Sequence, residues 1–206
     1  MTVHWIGRGA RNPFATRFIR PGMIPPLDAE GRPVSVAALA ARVPHGGFMA
    51  LVGPHGSGKS NLLTALAAHL AHEGVVMQSR VRRARDVPGL LARIARLPVG
   101  AIACIDGWER LGALGRVAVR VVAWCRGCDL VVTAHRPCGP VLARCMTTPS
   151  LLARLVAMLG PDEAVIGHDD VAAAYDRHAG NVREALLELY DLFEQRIRGS
   201  AAAVRT

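Results

Sequence analysis

The chain has 206 residues, of which 51% are hydrophobic, and this composition excludes an intrinsically disordered protein. Its 25 basic residues exceed its 16 acidic ones and give a formal charge of +9, which attracts polyanions without specifying one. We therefore consider nucleic acid, an unidentified protein partner or further copies of the chain as ligands. Neither a signal peptide nor a membrane-spanning run is recognised, so we expect a cytoplasmic protein with no membrane span.

The first 148 residues divide into two regions. Residues 1–45 combine recurring arginine and proline with few long apolar runs, which predicts an extended arm or linker. Residues 46–148 alternate apolar strands with helices. The strands are expected at residues 48–52, 75–79, 101–105, 129–135 and 141–147, and the helices at 59–73, 91–97 and 113–125. Strands that are apolar throughout need cover on both faces, so the predicted fold class is α/β, with three αβα layers and a parallel sheet.

From residue 149 onward the pattern contains helices only. They are expected at residues 150–159, 169–180 and 181–198, followed by a loose tail. Asp169 and Asp170 suit the start of the second helix, and Gly180 suits its end. Residues 149–206 are therefore predicted to form a small helical lid and tail.

The sequence GPHGSGKS follows the apolar run FMALV and opens the helical stretch NLLTALAAHL. Its spacing fits the P-loop, whose backbone N–H groups and helix start form an anion site. Lys59, the sole lysine of the chain, would reach the β- and γ-phosphates of a nucleotide, and the Ser60 hydroxyl would bind Mg²⁺. The predicted nucleotide-binding residues are Gly53, Pro54, His55, Gly56, Ser57, Gly58, Lys59, Ser60 and Asn61.

Polar residues end the next two apolar strands. Asp106 follows AIACI and is the expected second magnesium ligand, with Ser60 as the first. Gly107 occupies the position where many hydrolysing ATPases carry a glutamate. Glu109 is the nearest candidate general base, or else an ordinary surface glutamate. Thr133 or His135 could bind the γ-phosphate or the attacking water, or could belong to a solvated strand end.

The cysteines Cys125 and Cys128 form a C-x-x-C pair, and Cys138 and Cys145 follow them. A buried strand between Cys128 and Cys138 would hold the pair about 20 Å from Cys138. One zinc ion cannot span that distance, so these residues are predicted to be structural cysteines.

Four motifs in order, GPHGSGKS, ACIDGWE, VVTAHRP and GNVREALLELYD, resemble the P-loop NTPases that carry an additional strand between the two phosphate motifs, and within them the AAA+ and STAND-type ATPase modules. The resemblance covers about residues 46–196. It implies ATP as the nucleotide, a sensor 1 role for Thr133 or His135, and a sensor 2 role for Arg183, which would close on the γ-phosphate. One departure is that the segment between VVTAHRP and VLARC is too short for the helix that carries the AAA+ arginine finger.

The predicted function is a slow Mg²⁺-dependent ATPase that acts as a nucleotide-driven conformational switch, with ATP and Mg²⁺ as cofactors. The residues expected to act in catalysis are Lys59, Asp106, Glu109, Thr133, His135 and Arg183. The N-terminal arm is expected near the adenine. Two alternatives stay open: a small-molecule or nucleotide kinase, in which RVRRARD would clamp phosphate, and a non-hydrolysing ATP-binding module.

Overall fold

The structure is a computed structural model that describes residues 12–43 and 47–203. Five strands form one sheet: β1 (Phe48–Val52), β2 (Val76–Arg80), β3 (Ile102–Asp106), β4 (Asp129–Ala134) and β5 (Val141–Arg144). They are ordered β2-β3-β4-β1-β5, and every neighbouring pair is parallel. β4 thus lies between β1, which precedes the P-loop, and β3, which ends at Asp106. This is the additional strand that the sequence motifs imply.

Helices occupy both faces of the sheet and the C-terminal region. They are α1 (Thr16–Ile19), α2 (Val36–Ala40), α3 (Lys59–Leu70), α4 (Val87–Ile94), α5 (Gly112–Cys125), α6 (Pro149–Leu159), α7 (His168–Arg177) and α8 (Val182–Ala203). Short 3₁₀ helices span Ala84–Asp86 and Trp108–Leu111.

Alternate residues of the strands enter two separate cores, because successive side chains of a strand point to opposite faces. Ala50 and Val132 pack with α4 and α5, whereas Leu51 and Val131 pack with α2 and α3. All six residues of β4 are buried, as the central position of this strand requires. The predicted three-layer α/β fold with a parallel sheet is confirmed.

Several element boundaries differ from the sequence prediction; α3, for example, ends at Leu70 instead of residue 73, and α7 ends at Arg177 instead of residue 180. β5 ends at Arg144 instead of residue 147. α4 begins at Val87 instead of residue 91, and it can include Pro88 because proline is tolerated in the first turn of a helix. The predicted loose tail is wrong for residues 199–203, since α8 continues to Ala203. The sequence GSAAA after Arg198 was interpreted as a loose tail because it is composed of small residues, but small residues are also compatible with a helix.

The C-terminal helices α6, α7 and α8 form a third core around Leu152, Ala174 and Leu189. Phe14 of the N-terminal segment is fully buried in this core and makes an edge contact with Phe193. The N-terminal segment is therefore not simply an extended arm, because it contains α1 and α2 and packs on both the lid and α3. The division of the chain at residues 45 and 148 stays a prediction.

The connection between β4 and β5 consists of residues 135–140 and contains no helix. Arg120 of α5 reaches this connection, where it donates a hydrogen bond of 2.6 Å to the Cys138 carbonyl. Its guanidinium carbon lies 3.9 Å from the Phe48 ring centre. An arginine therefore stacks on the sheet beside this short connection.

All five cysteines lie in the described residues and are free thiols, of which Cys104 and Cys128 are buried. Burial raises the pKa of Cys104 to about 12. No helix within residues 12–43 and 47–203 has the length and apolar character needed to span a membrane.

Candidate nucleotide-binding site

The P-loop connects β1 to α3 and contains two glycines in the left-handed region. Gly56 has φ of +72° and Gly58 has φ of +82°. Gly58 is the N-cap of α3, so Lys59 and Ser60 are the first residues of that helix. Residues with a Cβ rarely adopt these backbone angles, which is why the loop requires glycine at both positions. The N–H groups of the first helical turn lie at this point and favour an anion.

Lys59 is buried at the centre of the loop. Its ammonium group donates a hydrogen bond of 2.8 Å to the Gly53 carbonyl and a second bond to the Pro54 carbonyl. Burial lowers the pKa of Lys59, and the nearby acidic groups, Cys145 first among them, oppose this effect. A phosphate group would favour the charged ammonium for the same electrostatic reason.

A hydrogen-bonded chain joins the P-loop helix to two strands. The Ser60 hydroxyl lies 2.9 and 3.0 Å from the two carboxylate oxygens of Asp106. Thr133 donates to Asp106 Oδ1 at 2.7 Å and accepts from the Gly107 backbone N–H at 2.9 Å. The Thr133 hydroxyl therefore orients the Asp106 carboxylate from a buried position.

This chain of oxygens fits magnesium. A hydroxyl and a carboxylate are hard oxygen ligands of the kind that Mg²⁺ prefers, and they converge at the first turn of α3. Arg80 of β2 also approaches, with its Nε 3.4 Å from Asp106 Oδ2. Sequence reasoning missed Arg80, which it treated only as part of an arginine cluster. Its position at the end of a strand next to β3 was the available signal.

Glu109 and His135 are brought together by the structure. Glu109 lies in the 3₁₀ helix after β3, and its Oε1 is 2.6 Å from His135 Nε2. The His135 ring contacts the His55 ring of the P-loop in a tilted arrangement, with ring centres 3.8 Å apart, and its Nδ1 is 3.4 Å from the Gly53 carbonyl oxygen. The charge of His135 is the main cause that lowers the pKa of His55. The candidate base and the candidate sensor thus form one cluster with the P-loop.

The start of α8 meets the P-loop directly at Gly56. A Cβ on this glycine would lie 1.9 Å from Asn181 Oδ1 and 3.1 Å from the Arg183 backbone nitrogen. Arg183, the predicted sensor 2 residue, is exposed and lies in the first turn of this helix. Sequence reasoning noted the GN-x-R pattern but missed the role of Asn181, whose place before the helix was the available signal.

Asn61 holds the N-terminal segment against α3. Its Oδ1 accepts from the Gly22 N–H at 2.8 Å, and its Nδ2 donates to the Ile24 carbonyl at 2.9 Å. Both polar ends of this side chain are therefore engaged by the segment that the sequence places near the adenine.

Comparison with known proteins rests on structure, since no family model and no curated protein sequence matches the chain. A DNA replication initiation factor is similar with a TM-score of 0.55 and 11% identity, over 82% of this chain and 62% of that protein. The RuvB Holliday junction branch migration motor of Thermotoga maritima has a TM-score of 0.48 and 17% identity, over 79% of this chain and 65% of that protein. The chain spans less than two thirds of either protein.

The chain therefore shares its fold with this initiation factor, and that fold agrees with the AAA+-like P-loop module that the sequence motifs resemble. The chain departs from the pattern of that resemblance at two places. Gly107 follows Asp106, and its position leaves room for no side chain, since a Cβ there would lie 2.7 Å from the Val81 carbonyl oxygen. The second departure is the connection after β4, which contains no helix. It borders a cavity of about 240 Å³, lined in part by Glu109, His135 and Arg136.

Proposed function

We propose that the protein binds ATP with Mg²⁺, hydrolyses it slowly to ADP and phosphate, and uses the nucleotide as a conformational switch. The observation that carries this proposal is the hydrogen-bonded chain from Ser60 through Asp106 to Thr133. It lies at the start of the helix that Lys59 begins. A cation site at the start of a P-loop helix is what phosphoryl transfer requires.

Ser60 and Asp106 would hold the magnesium ion, and the ion would supply charge neutralisation on the phosphate oxygens. Lys59 would exchange its two carbonyl partners for phosphate oxygens. Thr133 would keep the Asp106 carboxylate in position throughout, because its hydroxyl is already engaged by that carboxylate and by the Gly107 N–H.

Glu109 is the proposed general base, which takes a proton from the attacking water. Its pairing with His135 at 2.6 Å supports this role because the imidazole orients the carboxylate beside the P-loop. His135 is the proposed γ-phosphate sensor, since its ring also contacts His55 of the P-loop. Gly107 has no side chain that could act as a general base directly after Asp106, so we expect slow turnover by the isolated chain.

The switch is proposed to act through the lid. Asn181 and Arg183 lie against Gly56, so a change in the P-loop reaches α8 without an intermediate element. Arg183 would close on the γ-phosphate as a guanidinium fork. Loss of that phosphate would release the lid, and an unidentified partner would sense the release.

ATP is proposed over GTP because no N-K-x-D guanine-reading sequence occurs in the chain. The segment held by Asn61 supports an adenine site next to α3. Isothermal titration with ATP and with GTP tests this point. Equal or absent binding of both nucleotides would contradict it, and Lys59→Ala should abolish binding without changing the circular dichroism spectrum.

The kinase alternative is favoured by one observation: Arg80, the first residue of the arginine-rich segment RVRRARD, approaches Asp106 at 3.4 Å. The two functions are separated by phosphate release from ATP without an added acceptor. Release supports the ATPase, and transfer that requires an acceptor supports the kinase. Binding without either reaction would indicate the non-hydrolysing module.

Glu109→Gln tests the base in a single-turnover experiment. We expect the hydrolysis rate to fall by about 100-fold, because an amide cannot accept the proton of the attacking water. ATP affinity should stay within about twofold, since an amide keeps the shape of the side chain. An unchanged rate would remove Glu109 from the mechanism. Glu73→Gln, at an exposed glutamate after α3, serves as the matched control.

A further inference from the structure

Helix α5 is apolar on two opposite faces. Gly115, Val119 and Ala123 are buried on one face, with Gly115 against Val87 of α4 and the other two in the core beneath the sheet. The opposite face presents Leu114, Val117, Val121 and Trp124, which are 87%, 60%, 51% and 80% exposed. We call these four side chains the α5 stripe. Exposed apolar side chains that lie together on one face mark an interaction site, whereas isolated ones need no explanation.

The spacing within the α5 stripe is three, four and three residues. This is the a and d spacing of a heptad seam, the pattern by which one helix packs against another. Such a stripe is narrower than the broad apolar face with which a helix enters a membrane surface. The geometry of the stripe therefore favours a partner helix.

The exposed apolar surface of the α5 stripe continues beyond the C-terminal end of the helix. Val99, in the loop before β3, is 81% exposed and lies beside the turn after α5, where a Cβ on Gly127 would be 3.2 Å from its Cγ1. Trp124 stands at this end of the stripe. A tryptophan with this exposure is the type of side chain that dominates binding energy when a partner covers it.

Arginines border the α5 stripe. Glu109 lines a cavity together with Arg116, but its carboxylate pairs with His135. Arg116, Arg120 and Arg126 each donate to a backbone carbonyl, of Gly112, Cys138 and Leu97 respectively. Within the described residues, none of these three guanidinium groups forms a salt bridge. Helix α5 contains neither aspartate nor glutamate.

This charge pattern distinguishes between two possible partners of the α5 stripe, a second copy of the chain and a different protein. A second copy of α5 would bring arginines to arginines and supply no acid along the seam. A helix with acidic flanks would compensate Arg116, Arg120 and Arg126 while its apolar residues cover the stripe. We propose that the α5 stripe binds an apolar-seamed helix of a partner protein that carries aspartate or glutamate on its flanks.

The test uses the full chain and two synthetic helical peptides of about three heptads with leucine at the a and d positions. One peptide carries glutamate at e and g, and the other carries lysine. We expect fluorescence anisotropy to show at least about tenfold tighter binding of the glutamate peptide, and Val121→Asp to weaken that binding by a similar factor. Leu187→Asp is the matched control, because Leu187 is 38% exposed and lies on a different helix, α8.

Several results would overturn the proposal. Equal affinity for the two peptides, or no binding of either, would contradict the acidic partner helix. Self-association in sedimentation velocity that Val121→Asp removes would assign the stripe to a second copy of the chain. Binding to phosphatidylglycerol vesicles in place of the peptide would assign it to a membrane surface. Trp124→Ala repeats the measurement with a smaller change, so the outcome does not depend on the folding of one variant. Unchanged peptide binding by Trp124→Ala and Val121→Asp would equally exclude this surface.

Discussion

At the scale of single residues, the site is organised around the Asp106 carboxylate. Three side chains reach it from three elements: Ser60 from α3, Thr133 from β4 and Arg80 from β2. Thr133 was a candidate sensor of the γ-phosphate, but its hydroxyl both donates to Asp106 and accepts from Gly107. His135, which is partly exposed and touches the P-loop, is the better placed of the two candidates.

Thr133→Val tests the orienting role of this hydroxyl. We expect Mg²⁺-dependent ATP binding to weaken by about tenfold, because Asp106 loses the bond that fixes its carboxylate. The free energy of unfolding should fall by about 1–3 kcal/mol, since the Gly107 N–H is left buried without its partner. Titration with ATP in the presence of Mg²⁺ and of a chelator measures the first effect.

Thr133→Ser keeps the hydroxyl and is the control for this experiment. It should restore magnesium-dependent binding close to the original affinity. Binding by Thr133→Val that is unchanged in the presence of Mg²⁺ would show that Asp106 needs no such support.

At the scale of elements, the P-loop and the lid are in close contact at Gly56. Gly56 leaves room for the Asn181 side chain because glycine has no Cβ. Helix α8 begins at Val182, directly after Asn181. The contact joins the proposed phosphate-binding loop to α8, the last helix of the lid. A rigid helix transmits a displacement at its first turn along its length.

Asn181→Ala should loosen this joint. We expect faster hydrogen exchange in the first turn of α8, because the Asn181 side chain also accepts from the Glu184 N–H at 3.4 Å and so supports the helix start. ATP should protect these amides in the original chain and less so in the variant. Equal protection in both chains would argue against lid coupling at this contact.

The lid also contains an acid-sensitive link between α7 and α8. Asp170 accepts from Arg196 at 2.6 and 2.8 Å and from the Gly167 N–H at 2.9 Å, and the Arg196 bonds are the main cause that lowers the pKa of Asp170 below 3.8. A carboxyl group with a lowered folded-state pKa stabilises the fold above its unfolded pKa. This stability is lost as the pH falls through the lowered value.

We therefore expect the thermal midpoint of the lid to fall as the pH is lowered below about 4. Asp170→Asn should lower the midpoint at neutral pH and reduce its dependence on pH in the acidic range. Circular dichroism melts at a series of pH values measure both effects. A variant with the same acid dependence as the original chain would exclude this pair as a source of it.

At the scale of the whole molecule, three cores divide the chain, with one on each face of the sheet and one in the lid. The N-terminal segment bridges two of them, through Phe14 in the lid and Leu39 beside α3. A nucleotide bound between the P-loop, this segment and the lid would stabilise all three regions together.

ATP with Mg²⁺ should accordingly raise the thermal midpoint of the whole chain. A ligand present at 100 times its Kd adds about 2.7 kcal/mol to the free energy of unfolding. Differential scanning calorimetry should show this increase for the original chain and its absence for Lys59→Ala. Stabilisation by ATP that survives Lys59→Ala would place the nucleotide elsewhere.

The sequence by itself determined the features that depend on local spacing. The P-loop, Asp106 at the end of β3 and the alternation of strands and helices follow from periodicity and from the few residue types that suit a phosphate-binding turn. The short connection after β4 was equally evident, because the number of residues limits what it can contain.

Only the tertiary structure decided which side chains meet. The pairing of Glu109 with His135, the approach of Arg80 to Asp106 and the contact of Asn181 with Gly56 join residues far apart in the chain. The exposure of the α5 stripe was likewise hidden, since a helix that is apolar on two opposite faces does not reveal which of them its own domain covers. Local pattern encodes local structure, whereas these contacts depend on how the sheet, the 3₁₀ helix and the lid are packed.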